Sequence, residues 1–104
     1  MLFRSWEVVD DEDLADHAAG IAARLAKGPT KAYTLMKQAL SASMSNDFET
    51  QTALEATLQG QAGRTRDFKE GVMAFLEKRP AQFSMKPSKD MPEFYPWWEE
   101  REFE

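Results

Sequence analysis

The sequence predicts an all-α protein: an array of about four helices with a short extended N-terminal lead-in and an extended, aromatic C-terminal tail. Three observations carry this prediction. Four segments repeat apolar residues at three- and four-residue spacing. Gly, Pro and small polar residues separate those segments at Gly28-Pro29, Ser41 to Ser45 and Gly60 to Gly63. Beyond residue 83 the helical period stops and prolines take over. Residues 1–83 are therefore read as the helical segment and residues 84–104 as the tail.

Leu2 to Val9 holds Phe3, Trp6, Val8 and Val9 and reads as a strand end or extended lead-in with no sheet of its own to join. Asp10, Asp11, Glu12 and Asp13 follow. Carboxylates at a helix start accept free N–H groups and favour the positive end of the helix dipole, so a capping role is expected. A metal site is the competing reading, but side chains adjacent in sequence point in different directions around a helix. The first helix is expected over about Glu12 to Lys27, with Leu14, Ala18, Ile21, Ala22 and Leu25 on one face. Gly28 stops it, and Pro29 suits the first turn of the next.

The second helix is expected from Pro29 to Ser43, striped by Ala32, Leu35, Met36, Ala39 and Leu40, with Lys31 and Lys37 off the stripe. The third opens at Asn46, where Asn46 and Glu49 have the spacing of a capping box. Phe48, Leu54 and Leu58 lie on roughly one of its faces. The fourth runs from Thr65 or Arg66 to Arg79, with Thr65 as N-cap, Asp67 in the first turn and Pro80 as the stop. Phe68, Val72, Phe75 and Leu76 make its apolar stripe. Gly71, in mid-helix, costs about 1 kcal/mol against Ala and points to a close backbone neighbour. The tail carries three prolines, six acids and three bases, and packs Phe94, Tyr95, Trp97 and Trp98 into five positions. Rings that dense call for a docking surface.

Composition narrows the function. The chain has 104 residues, 42% hydrophobic and 30% charged, which is globular rather than disordered composition. A net charge of −5 argues against a nucleic-acid partner. Without cysteine there is no disulfide, thiolate chemistry or cysteine zinc site. No apolar run reaches the roughly 18 residues of a membrane span, and a cytoplasmic location is the default expectation. His17, among alanines, reads as a surface or packing histidine, since no Ser or Cys nucleophile is placed to use it as a base. Trp97-Trp98 would suit a membrane interface, but the acidic flank repels anionic lipid, which favours docking on protein. Residues 64–79 hold five bases against three acids. They form either a solvated face with dipole complementarity or a phosphate contact. No carboxylate pair, Gly-rich phosphate loop or metal spacing occurs, so no catalytic residue and no metal ligand is assigned.

The blocks VVDDEDL at 8–14, LAKGPTKAYTLMKQAL at 25–40 and FETQTALEATLQGQAGRTRDFKEGVMAFLEKRPAQF at 48–83 resemble the C-terminal third of enoyl-CoA hydratase/isomerase (crotonase) family enzymes. The isomerases that act on ring-epoxidised phenylacetyl-CoA are nearest in character. The resemblance implies a parent enzyme acting on acyl-CoA thioesters. Two backbone N–H groups in a preceding spiral of ββα units would stabilise a thioester enolate. Carboxyl groups from the same region would act as acid and base. None of those parts can be placed here, which implies a segment inactive alone, with no cofactor of its own beyond the coenzyme A of the family's ligand. The closing helices of the family build oligomers, which implies a homo-oligomer and a missing core domain as partners, with no nucleic acid and no membrane. The family's AFLEKR segment lies near the adenine and phosphate of a neighbouring subunit's coenzyme A, which implies Phe75 and Lys78 as coenzyme-binding residues; Phe75 also lies on the apolar stripe, where core packing is the rival role. After Ser84 the sequence departs from the family pattern. The alternative function is a free-standing helical interaction or self-association module without enzymatic activity.

Overall fold

The computed structural model describes residues 6–91. They form five helices in chain order: α1 (Leu14–Ala26), α2 (Thr30–Ser43), α3 (Phe48–Gly63), α4 (Arg66–Glu77) and α5 (Pro87–Asp90). No strand occurs among the described residues, so the all-α prediction holds. Residues 6–9 are irregular rather than strand. Strand pairing needs a neighbour, and the described residues offer none to receive the backbone groups.

The acidic run does not cap α1 as expected. Asp13 has helical backbone angles (φ −93°, ψ −13°) and its side chain accepts no cap hydrogen bond. An N-cap needs an extended backbone to turn its oxygen onto the first free N–H groups. The run instead closes a turn, with Asp13 N–H donating to the Asp10 carbonyl at 3.0 Å. At the other end of α1 the Tyr33 ring fills the space that a Cβ at Gly28 would need, which fixes glycine there. Pro29 stands just outside α2 rather than in its first turn.

The cap of α3 falls on Asp47, not Asn46. Asp47 is extended (φ −71°, ψ 170°) and its carboxylate accepts from Thr50 N–H at 2.7 Å, which holds its pKa below the usual carboxylate range. Asn46 instead donates to Gln51 Oε1 at 3.1 Å, and Gln51 donates to the Ala39 carbonyl at 3.1 Å, tying α2 to α3. Thr65 caps α4 as expected, accepting from Phe68 N–H at 3.1 Å.

The core is small. Leu35 of α2 and Leu58 of α3 meet where these two helices pair, and Ala74 of α4 and Met85 complete the buried apolar set among the described residues. Helix α1 buries no residue. The radius of gyration is 16.9 Å, against about 13 Å for a compact chain of this length. The helices are splayed, and their apolar stripes face outward: Leu14, Met36, Leu40, Phe48, Phe68 and Leu76 are all more than half exposed.

Residues 83–85 form a strap across α4 and α2. The buried Asp67 carboxylate accepts from Ser84 N–H at 2.8 Å and from Met85 N–H at 3.2 and 3.3 Å. Thr30 Oγ1 donates to the Met85 carbonyl at 3.0 Å. The neighbour of Gly71 is the Phe83 ring edge, 3.6 Å from where a Cβ would stand, and not the backbone expected from sequence. Beyond the strap the chain is not simply extended. Pro87 opens α5, and Asp90 folds back to accept from Lys86 N–H at 2.8 Å, a closure that lets a single turn form. The aromatic cluster Phe94, Tyr95, Trp97 and Trp98 lies outside the described residues.

Candidate functional site

One opportunity for a ligand follows from the outward face of α4. Phe68, Val72, Phe75 and Leu76 recur at helical spacing, so they share one face. Pro29, Lys31 and Ala32 at the start of α2 form the opposite wall, and Gly71 and Phe83 lie beneath. The groove between them has a volume of about 400 Å³ and is almost wholly apolar. Its one buried charge, Asp67, is spent on the strap amides and cannot act as a general base without giving them up. A second apolar groove of about 500 Å³ runs along α2 and α3, floored by Leu35 and Leu58.

The two coenzyme-binding candidates from sequence fall at the end of α4. Phe75 is 83% exposed and lines the groove, so it is not part of this chain's own core. Lys78 lies just past the helix end and outside the groove lining. Its backbone is left-handed (φ 53°, ψ 41°). The helix closes by a Schellman pair, Arg79 N–H to the Ala74 carbonyl at 3.0 Å and Lys78 N–H to the Phe75 carbonyl at 3.3 Å. Glycine is the usual residue at that position, and a side chain there costs about 1–2 kcal/mol. Sequence periodicity placed Lys31 off the α2 stripe and gave no sign that it faces the groove; only the shared lining of the groove by α2 and α4 reveals that.

The next charges along the chain are fixed rather than available. Arg79 grips Glu70 with both ends of its guanidinium, at 2.6 and 3.0 Å, and also reaches Glu77. Glu70 accepts in addition from Gln82 N–H at 2.8 Å. Hydrogen bonding from Arg79 first, then from Gln82, lowers the Glu70 pKa from 4.5 to about 2, and Arg79 is raised in turn. The sign follows: a carboxyl depressed on folding stabilises the fold above its ordinary pKa of 4.5, and that contribution is lost as the pH falls towards 2. Glu70→Gln is therefore expected to be less stable at neutral pH and to lose less stability than the parent chain between pH 4.5 and about 2. Acid titrations of both proteins by far-UV circular dichroism check this; parallel curves would contradict it.

His17 is half-buried and its Nε2 lies 2.9 Å from Glu7 Oε2. That is the surface and packing role expected, tying the lead-in to α1. Among the described residues no group of His, Asp and Glu is arranged to hold a metal ion, and no helix is long and apolar enough to cross a membrane.

The family model for enoyl-CoA hydratase/isomerase matches residues 5–86, which include every element that shapes the groove. The chain belongs to the enoyl-CoA hydratase/isomerase family. Among its relatives, a "Probable enoyl-CoA hydratase" of Rhodobacter capsulatus is 51% identical over 79 residues, covering 76% of this chain and 31% of the relative. The 1,2-epoxyphenylacetyl-CoA isomerase of Escherichia coli is 49% identical over 81 residues, 78% of this chain and 31% of the relative. The crotonyl-CoA hydratase of Syntrophomonas wolfei is 38% identical over 80 residues, 77% of this chain and 31% of the relative. The chain thus spans somewhat under a third of the length of the curated relatives it matches. At the level of the family, the resemblance read from the blocks at 8–14, 25–40 and 48–83 is correct, and those blocks hold most of α2 and all of α3 and α4 but little of α1.

Proposed function

We propose that this chain is the C-terminal helical part of an acyl-CoA hydratase or isomerase, serving oligomerisation and the coenzyme A edge, and that it has no activity alone. The observation that carries the reading is the uncovered apolar face of α4, with Phe75 83% exposed at the groove mouth. A helix stripe made of Phe and Leu is stable in water only when something covers it. The splayed packing, with α1 burying nothing, supports a segment shaped to lean on a larger scaffold or on a second copy. Phe75 offers a ring face to an adenine, and Lys78 offers an ammonium to a phosphate one turn further on. Purified chain, freed of contaminating hydratase, should not turn over crotonyl-CoA; sustained turnover would overturn the assignment of no activity alone.

Coenzyme A binding provides the second test. In calorimetric titration, Lys78→Ala is expected to weaken binding about two- to fivefold, the return on an exposed ionic contact worth under about 1 kcal/mol. Alanine is the right substitution because it removes the ammonium while keeping a β-carbon in the left-handed position. Lys78→Gly would confound the result by relieving the backbone cost and stiffening the helix end. Coenzyme A lacking the 3′-phosphate should bind the parent and Lys78→Ala equally. Equal binding of intact coenzyme A to both proteins would remove Lys78 from the site.

A further inference from the structure

We propose that Lys31 is a further coenzyme-binding residue, the one that meets the 5′-diphosphate of coenzyme A where the ligand enters the groove between α2 and α4. The inference rests on the coenzyme A reading and deepens it. Coenzyme A carries two anionic groups on one adenosine, a phosphate at the 3′ position and a diphosphate at the 5′ position. With the adenine on Phe75, Lys78 answers only one of them. Lys78 lies just past the end of α4 and outside the groove lining, so it suits the group that stays outside. The 3′-phosphate is that group, because nothing extends beyond it. The diphosphate carries the long pantetheine arm, and the arm reaches the apolar groove only if the diphosphate passes its entrance.

At that entrance an anion needs a cation. The lining is almost wholly apolar, and its one carboxylate, Asp67, repels a phosphate. A charge brought into such surroundings unpaired loses its hydration with nothing in exchange. Lys31 is the only cation of the lining among the described residues, and it stands on the α2 wall, opposite the α4 face that carries Phe75. It is half-buried, so an anion beside it is screened less than one beside a fully exposed lysine. None of the ion pairs among the described residues engages it. The competing carboxylate is Asp90. Its pKa is held below the usual carboxylate range first by the Lys86 N–H, with Arg66 and lastly Lys31 adding to the effect. The ion pair of Asp90, at 3.1 Å, is nevertheless with Arg66. The Lys31 ammonium is thus felt at that carboxylate without being bound by it.

Calorimetric titration of the full chain at low salt, with coenzyme A and with coenzyme A lacking the 3′-phosphate, tests this. Lys31→Ala should weaken both ligands by about three- to tenfold, because it removes a charged contact to the group they share. Lys78→Ala should weaken only the intact coenzyme. Lys31→Arg should keep most of the affinity. Lys37→Ala removes an exposed charge from the same helix outside the groove, and should change neither ligand. Far-UV circular dichroism confirms that each variant is folded; should Lys31→Ala unfold, Lys31→Gln takes its place. If the parent binds and Lys31→Ala binds both ligands as tightly, Lys31 has no part in the site and the coenzyme A reading stands without it. A loss confined to the intact coenzyme would overturn the diphosphate assignment, and an equal loss in Lys37→Ala would reduce the effect to net charge. A parent chain that binds neither ligand overturns the coenzyme A reading, and this inference with it.

Discussion

Leu58→Ala should cost about 2–5 kcal/mol, the range for truncating a buried leucine. That is a large part of the roughly 5–15 kcal/mol by which a native domain is stable. Leu58 is 4% exposed and meets Leu35, 3% exposed, where α2 and α3 pair. These two side chains are the apolar centre of the largest helix–helix contact in the fold. Their groove is open on one side, so the lost methyl groups leave a cavity that neighbours on only one flank can collapse into. The magnitude decides the outcome: the variant's urea midpoint should fall far below that of the parent chain, with an unchanged slope. Leu40→Ala is the matched control. Leu40 belongs to the same stripe but is 69% exposed, and surface truncations of that kind change stability by about 0.5 kcal/mol. Equal losses for the two variants would mean that the α2–α3 seam is not the core of the folded chain.

That contrast between two leucines of similar sequence context shows what periodicity conveys. It identifies which side of a helix is apolar, because the side-chain pattern is a property of the helix alone. It does not identify what covers that side, which is a property of helix placement. Hence α1 to α4 were legible within a residue or two of their ends, while the burial of Leu58 and the exposure of Phe75 were not. Cap chemistry behaves the same way. Thr65 was legible because a single candidate preceded the stripe. Asn46 and Asp47 are equivalent by residue type, and the choice between them rests on which residue is extended. The acidic run at 10–13 failed as a cap for the same reason: its last member is helical. Gly71 signalled a close neighbour but not its kind, since a ring edge and a backbone exclude a β-carbon alike. Of the groove lining, Phe75 was named from the resemblance, while Lys78, named with it, lies outside that lining; Lys31 and Phe83 reach the groove through the placement of α2 and the return of the strap.

Asp67→Ala is the prediction that depends most on that return. The carboxylate is 4% exposed and has no cation within ion-pair distance among the described residues. Its partners are the backbone N–H groups of Ser84 and Met85. Alanine leaves the Met85 N–H buried with no acceptor, and a buried donor without a partner costs about 1–3 kcal/mol. Losing the Ser84 bond as well brings the expected total to about 2–3 kcal/mol, while α2 and α3 keep their own contact. The damage should therefore be local. Hydrogen exchange at Ser84 and Met85 should accelerate strongly, and Phe83 should leave Gly71, while amides of α3 change little. Asp67→Asn separates charge from geometry. Oδ1 accepts both N–H groups at 2.8 and 3.2 Å, so an amide oxygen placed there preserves them as neutral hydrogen bonds, roughly half as strong as those to the anion. Asparagine should fall between the parent and alanine. Should all three proteins exchange Ser84 and Met85 at one rate, the strap is held by Thr30 and Phe83 alone, and the buried carboxylate has no part in closing the floor of the groove.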